Sequence, residues 1–598
     1  SHYTSEENIL KVLNGLFLDD LRSELDRIGR NIRRLEDLHR RLGEIRVFDP
    51  ACGCGNFLAI AYRELRMIEL EILRRTRDGQ HSVTTIESIL RINVDQFYGI
   101  EIQQYPTEIA RVALWLTDHI MNMEAANEFG QYVNRLPLET LPNIVCANSL
   151  EYDWAQLIAP SDDTYVVGNP PFIGKGNLNS QQTQDRITIT DGIASAGSLD
   201  YVTCWYIRAA QYIQNTNCKV GFVATNSICQ GEQVGILFGE LLGTYGIHLH
   251  FAHQSFLWSS EMRGAASVTV VIIGFGTVEP TNRTIHTYSS PTATPTSVAA
   301  SNISPYLNDE ENFLIGNLTT PICAVSNIYW GNQANDGGHL ILSADERQEI
   351  IGSHPAADPY IRSFIGAREY MQGGERHCIW LHGVAPSSYS RITPIMQRIQ
   401  QVRQHRLASA RAATRTLAET PFSFGFVSQP TENYVLIPFH TSENRDYIPF
   451  GYFEPEVILS NSCGHAQLPH YEFGVLQSSL HMAWVWKFAG RIKGDIRYSG
   501  KLVYNNFPWP TNPTQARRTR VENAAIALLE VRDGLLASGE TMRDLYNPLT
   551  MPQTLREAHR QLDRSVRTLY GLRQDSNRRV ILSRLQQLHL EITQPEEE

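Results

Sequence analysis

Short apolar runs that each end on a polar residue punctuate the first part of the chain. Ile45-Arg46-Val47-Phe48 runs into Asp49, Gln96-Phe97-Tyr98-Gly99-Ile100 into Glu101, Ile144-Val145-Cys146-Ala147 into Asn148, and Tyr165-Val166-Val167-Gly168 into Asn169. Runs this short and rich in β-branched and aromatic residues predict buried strands. Helical periodicity separates them. A helix from about Phe57 to Arg75 follows the first run, and a helix opened by Pro106, carrying Ile109, Val112, Ala113, Leu116 and Ile120, follows the second. Strands alternating with helices predict a parallel sheet, with polar residues gathered at the carboxyl ends of four strands. Val220–Asn226 and Ser267–Ile273 predict further buried strands, and Ser198-Leu199-Asp200-Tyr201 opens a helix. Ahead of the sheet, Ile9, Val12, Leu13, Leu16 and Phe17 share one helical face, with Thr4 and Glu7 spaced as a capping box. A long charged helix continues to about Leu42.

Beyond the sheet the pattern weakens. Residues from about Glu279 to Pro305, rich in Thr, Ser and Pro, predict a loop or linker. From about Ile322 short strands and turns follow, bracketed by Phe364–Tyr370 and by Gly490–Lys501, with an Arg-rich helix between Arg391 and Arg415. The bracket closes at Tyr504–Pro510, and the final helices include Met542–Pro548 and Leu555–Gly571. A chain of 598 residues is too long for one core. The expected division is 1–320, an α/β domain with an N-terminal helical segment, 321–510, an α+β region, and 511–598, a helical region.

Composition narrows the class. A hydrophobic content of 42% and a charged content of 19% belong to an ordinary globular protein. The sequence has no apolar run long enough for a membrane span and no basic-then-apolar start, so a cytosolic protein is expected. The nine cysteines include no C-x-x-C pair, which argues against both zinc and a disulfide framework. A net charge of -11 opposes phosphate binding, so any nucleic acid must be met by a local basic face. Arg491, Lys493, Arg497 and Lys501 form the densest basic cluster, and Gly490, Gly494 and Gly500 would let a loop follow a phosphate backbone. Arg398, Arg403, Arg406, Arg411 and Arg415 could line a helix or be a solvated face.

The chemistry concentrates at Asn169-Pro170-Pro171-Phe172. Two prolines stop the strand at the sheet edge where open α/β proteins bind ligands. Asn169 offers a side-chain oxygen, Pro170 a carbonyl and Phe172 a flat face, a set that fits a planar amino-substituted base. Two acceptors would take the amine hydrogens and draw the lone pair out of conjugation; a Pro-Pro turn that merely caps a strand is the alternative. The small-residue turn Asp49-Pro50-Ala51-Cys52-Gly53-Cys54-Gly55 contains neither G-x-G-x-x-G nor G-x-x-x-x-G-K-[ST]. Asp49 would repel phosphate and suits a cation such as a sulfonium or its ammonium group, unless the turn holds no ligand. Glu101 stands where an acidic residue binds ribose hydroxyls.

In this order Tyr3-Thr4, the Asp49–Gly55 turn, Glu101, Asn148 and Asn169–Phe172 resemble the amino-methyltransferases that modify adenine N6 in DNA. With the downstream segments, essentially the whole chain resembles the single-chain, MmeI-like type IIL restriction-modification enzymes and the related DISARM class I-like phage-defence methyltransferases. The resemblance implies a Rossmann-like class I sheet that uses S-adenosyl-L-methionine, a C-terminal α+β target-recognition domain and a helical tail. It implies Asn169, Pro170, Pro171 and Phe172 as catalytic residues, and Tyr3, Thr4, Asp49, Ala51, Gly53, Gly55, Phe57, Glu101 and Asn148 around the cofactor. Cys54 stands where that family more often has serine, and residue 148 is often aspartate there. Arg491, Lys493, Arg497, Lys501 and Arg368 are the expected contacts to double-stranded DNA, while Phe256, Trp258 and Arg263 are available for a base pocket or belong to the core. The reaction needs no metal. The setting is a prokaryotic, nucleoid-associated cytoplasm, with other defence-system proteins as further partners. Relatives often carry a nuclease ahead of the methyltransferase, so the native protein is expected to extend upstream of Ser1 and this chain to lack cleavage activity. Two alternative chemistries are methylation of a protein glutamine amide and of cytosine N4; a non-enzymatic DNA-binding scaffold is a third reading. Cytosine-C5 chemistry needs a Pro-Cys nucleophile, and Cys218, Cys229 and Cys463 lack the proline.

Overall fold

Each of the four apolar runs forms a parallel strand: β1 (Arg46–Asp49), β2 (Phe97–Glu101), β3 (Asn143–Cys146) and β4 (Thr164–Gly168). They belong to a computed structural model that describes residues 5–76, 89–130, 142–258, 268–492 and 494–594. The chain divides into two units, Ser1–Leu314 and Ile315–Glu598. In the first unit β5 (Lys219–Thr225), β6 (His248–Trp258), β7 (Val268–Gly276), β8 (Arg283–Thr287) and β9 (Thr296–Ala300) extend the sheet. The strand order is β3-β2-β1-β4-β5-β7-β6-β8-β9, with β7 antiparallel to both of its neighbours.

Alternation along the central strands fills both faces. Val47 and Val167 join one core, and their sequence neighbours Phe48 and Val166 join the other. The first core takes α1 (Glu6–Leu13), α2 (Asp19–Ile28), α3 (Ile32–Leu42), α4 (Asn56–Thr76) and α5 (Gln104–Phe129). The second takes α6 (Trp154–Leu157), α7 (Ser180–Ile189), α8 (Thr203–Tyr212) and α9 (Glu232–Phe238). Ile9, Val12, Leu13, Leu16 and Phe17 are all buried, as their periodicity predicts.

Several elements depart from expectation. Ser5 caps α1 without a side-chain bond, Thr4 lies outside the described residues, and Glu7 pairs with Lys11 at 2.7 Å. The long charged helix is broken: Asn14–Leu18 is π-helical, and Gly29 at φ +61° ends α2 before Asn31 caps α3. The helix expected to open at Pro106 begins at Gln104, and Val112, Leu116 and Ile120 face outward; α5 buries Ala110, Leu114, Met121 and Ala125. The helix assigned to Ser198 starts at Thr203. The supposed linker after Glu279 holds β8, which pairs with both β6 and β9 and buries Ile285, and the edge strand β9, which exposes Thr296, Ser297, Val298 and Ala299.

The second unit is α+β. Its sheets have four, four and three strands. The Arg-rich helix is two helices, Thr393–Leu407 and Ala412–Thr416. Long helices at Gln515–Ala537 and Arg578–Thr593 join the expected Gln553–Leu569. Arg406 is fully buried, and its guanidinium donates to the carbonyls of Asn335 (2.9 Å), Leu417 (2.8 Å), Thr420 (2.9 Å), Ala334 (2.9 Å) and Ser423 (2.8 Å). Arg398 bonds Glu346 at 2.6 Å and the His339 carbonyl at 3.0 Å, and Arg415 bonds the carbonyls of Ser409 and Ala410. Arg406 and Arg398 thus tie distant chain segments together, Arg415 bonds carbonyls five and six residues away, and Arg403 and Arg411 are exposed. Arg406→Met should therefore lower unfolding stability by about 3–5 kcal/mol, since five part-buried carbonyl acceptors lose a buried charged donor. Denaturant unfolding reads this; a wild-type midpoint with weakened DNA binding would restore the phosphate-contact reading.

Candidate active site

Asp49 ends β1 and is 1% exposed. Its Oδ1 accepts the Ala51 N–H at 2.9 Å, closing a turn over the strand end. A Cβ on Gly168, the residue before Asn169, would lie 2.8 Å from that same oxygen. The last position of β4 is thus held to glycine, and Asn169–Phe172 begins directly beside the Asp49 carboxyl. Burial pushes this carboxyl up to about 7, with the Glu101 charge adding to the shift and the Ala51 N–H opposing it.

The turn is pinned along its length. Glu101, at the end of β2, accepts Gly53 N–H at 3.1 Å on Oε2 and Gln103 N–H at 3.0 Å on Oε1. Cys52 N–H donates to the Ile100 carbonyl at 3.1 Å, and Trp205 Nε1 of α8 donates to the Pro50 carbonyl at 3.3 Å. Gly53 has φ +54°, and nothing lies within 4 Å of where its Cβ would be, so this stretch faces open space. Gly55, at φ +81°, does something else: a Cβ there would come within 2.9 Å of Ala110, so it admits α5 rather than a ligand. Phe57 is 4% exposed and packs in the core, which leaves only its backbone for any ligand.

Asn148 follows β3, but its side chain is engaged. Oδ1 accepts Leu150 N–H at 3.1 Å and Nδ2 donates to Asp185 Oδ1 at 3.2 Å, while Tyr201 donates to Asp185 Oδ2 at 2.5 Å. In the tetrapeptide Asn169 is half-buried, Pro170 buried and Pro171 exposed, and Phe172 packs against both cores. Parallel strands β2, β1 and β4 are adjacent in the sheet, so Glu101, Asp49 and Asn169 share one edge. Tyr3 and Thr4 lie outside the described residues. Phe256 and Trp258 are 2% and 4% exposed within β6, as core residues, and Arg263 lies outside the described residues. Sequence reasoning missed Gly168, Trp205, Asp185 and Tyr201; only Gly168, a small residue closing a β-branched run against the prolines, carried a local signal.

The basic cluster is also partly structural. Gly490–Ile492 and Asp495–Arg497 form a hairpin through Gly494 at φ +95°, rather than an open phosphate-following loop. The Arg491 guanidinium lies 4.2 Å from the Trp486 ring and donates to the Trp486 carbonyl at 3.2 Å, while Arg578 lies 5.0 Å from that ring. Arg497 and Lys501 are exposed, as is Arg368 in the first turn of Ala367–Gln372; Lys493 lies outside the described residues. Among the described residues no three His, Cys, Asp or Glu side chains gather as a metal site, and no helix is long and apolar enough to cross a membrane. All nine cysteines are free thiols.

Three family descriptions match in sequence: "MmeI, DNA-methyltransferase domain" over residues 25–287, "MmeI, target recognition domain" over 309–511, and "MmeI, C-terminal domain" over 513–594. DNA methyltransferase A of Bacillus subtilis (strain 168) is 39% identical over 99% of this chain, which spans 66% of that protein's length. The type IIL restriction-modification enzyme MmeI, solved in complex with DNA, is 40% identical with a TM-score of 0.92, covering 99% of this chain and 79% of the other. A Rossmann-like methyltransferase sheet followed by an α+β recognition unit and a helical end is therefore the architecture of both, and this chain belongs to the MmeI family.

Proposed function

We propose that this chain transfers a methyl group from S-adenosyl-L-methionine to adenine N6 within a specific sequence of double-stranded DNA, as a mark for restriction-modification or phage defence. The observation that carries this reading is the shared edge: an amine-binding tetrapeptide begins one residue after a glycine that touches the buried Asp49 carboxyl, with Glu101 on the next strand. The fit to the cofactor rests on the same residues. A buried carboxyl raised by desolvation and by a second acid gains from a cation, and Gly53 faces open space. The cofactor supplies an electrophilic methyl on a sulfonium. Asp49 holds its cationic end and Glu101 its ribose, with the Ala51 to Gly55 backbone alongside.

On the acceptor side Asn169 Oδ1 and the Pro170 carbonyl each take one hydrogen of the adenine amine, and Phe172 stacks on the flipped base. Both hydrogen bonds would localise the lone pair on nitrogen for attack on the methyl that the cofactor would supply, with the C–S electron pair staying on the departing sulfur and the displaced amine proton passing to solvent. Asn169→Ala should cut methyl transfer by at least about 10²-fold while leaving cofactor affinity within about threefold, because the lost contact is made to the reacting amine. Labelled-methyl transfer with sequencing of the product reads this; N4-methylcytosine in the product, or label only in protein, would overturn the adenine assignment.

The raised Asp49 pKa sets a pH dependence. Below about 7 the free carboxyl is neutral, and a cation binds the ionised form better, so cofactor affinity is fully present above that value and falls as pH drops through it. The loss should approach about tenfold per pH unit, and Asp49→Asn should bind weakly with no such slope. Calorimetric titration across that range is the check; a flat wild-type profile would sink the assignment.

For DNA, Arg497→Ala and Lys501→Ala should each weaken specific and random duplexes alike and reduce the salt slope by about 1. Arg491→Ala should instead lower the melting temperature, since its cation packs on Trp486. Affinity measured against salt separates the two groups, and unchanged affinity in the first pair removes them from the interface.

A further inference from the structure

The loop that leaves Phe172 is gripped by two consecutive residues from the far side of the fold. Tyr201 N–H donates to the Ile173 carbonyl at 2.9 Å, and Asp200 Oδ1 accepts Lys175 N–H at 3.0 Å. The other Asp200 oxygen accepts the Ser227 hydroxyl at 2.8 Å and Gln233 Nε2 at 2.9 Å, and the Asp200 N–H donates to Gln233 Oε1 at 2.9 Å. Ser227 lies just past β5, the sheet neighbour of β4, and Gln233 lies in α9. Lys175 is held a second time through its ammonium, which pairs with Glu232.

We propose that Asp200 is a positioning residue for methyl transfer: it sets the angle at which Asn169–Phe172 meets the acceptor amine, by tying the loop beyond Phe172 to β5 and α9. The inference rests on the methyl-transfer reading above. A strand end stopped by two prolines has no ladder bonds of its own past Gly168, and a loop left to itself samples several orientations. Asp200 removes that freedom because a carboxylate accepts in several directions at once: one oxygen holds the loop backbone, and the other is fixed by two donors on rigid elements. Its bonds run to the loop backbone, Ser227 and Gln233, so its effect should fall on the rate of the bound complex and not on cofactor affinity.

The test compares wild type, Asp200→Ala, Asp200→Asn and Ser227→Ala. Because misplacement by about 1 Å can cost about 10²-fold, Asp200→Ala should lose kcat on that scale with the KM for S-adenosyl-L-methionine within about threefold. Asparagine keeps one acceptor oxygen for Lys175 N–H and should recover about tenfold of the loss. Ser227→Ala removes a single bond to Asp200, keeps the variant folded if alanine at 200 does not, and should cost about three- to tenfold in kcat. A purely structural role would instead lower melting temperature without this split or rescue. Hydrogen exchange at residues 173–175 needs no activity and should quicken in Asp200→Ala. Quickened exchange with no methyl transfer even in wild type would leave the clamp standing and defeat the functional reading. Wild-type kcat and wild-type exchange in Asp200→Ala would overturn the proposal.

Discussion

The arrangement of the catalytic unit depends on a carboxyl that has been taken out of water. Asp49 is almost fully enclosed and accepts the Ala51 N–H at the strand end, and burial lifts its pKa into the neutral range. A group so placed costs free energy in an empty fold and returns it to a cationic ligand. The neighbours are built to tolerate it. Gly168 gives up a side chain to let Asp49 stand where it does, and Glu101, instead of pairing with a base, accepts backbone N–H groups from Gly53 and Gln103. Both acids are thereby aimed at the one edge of the sheet where the tetrapeptide starts.

Much of this edge was readable in the chain itself, because buried parallel strands are short, β-branched and abruptly ended, and the polar residue that ends each is local information. What was not readable is set by partners distant in sequence. Arg406 looked like one tooth of a basic row, yet its five carbonyl partners come from loops on either side of it and decide its burial. Arg491 looked like a phosphate contact, but Trp486 and the far-off Arg578 make it part of a packed stack. Strands β8 and β9 were hidden for a different reason: β8 buries just Ile285 and the edge strand β9 exposes Thr296, Ser297, Val298 and Ala299, so neither carries the apolar run that marks a central strand. The outward Val112, Leu116 and Ile120 of α5 show the same weakness of periodicity, which finds a stripe but not the side that is buried; here the inward residues are Ala110, Leu114 and Ala125, small enough for α4 and α5 to approach.

The two halves of the site are therefore held by different means, and the difference follows from what each must do. On the proposed reading the cofactor half sits on β1 and β2, whose ladder bonds and burial on both faces leave little room for adjustment. The proposed acceptor half hangs from prolines that end the ladder, so its rigidity comes from contacts outside the sheet: the Tyr201 backbone N–H and the Asp200 carboxylate on the loop, with Ser227 and Gln233 behind Asp200. Each such bond contributes only about 0.5–1.5 kcal/mol to stability, but orientation is lost in steps much smaller than unfolding. In the proposed reaction a flipped base enters this half and leaves it, which a sheet edge locked by its own backbone would resist. Hydrogen bonds from the flanking helices can fix the loop in one place while leaving the face above Phe172 open, and that is the constraint that separates a binding edge from a reacting one.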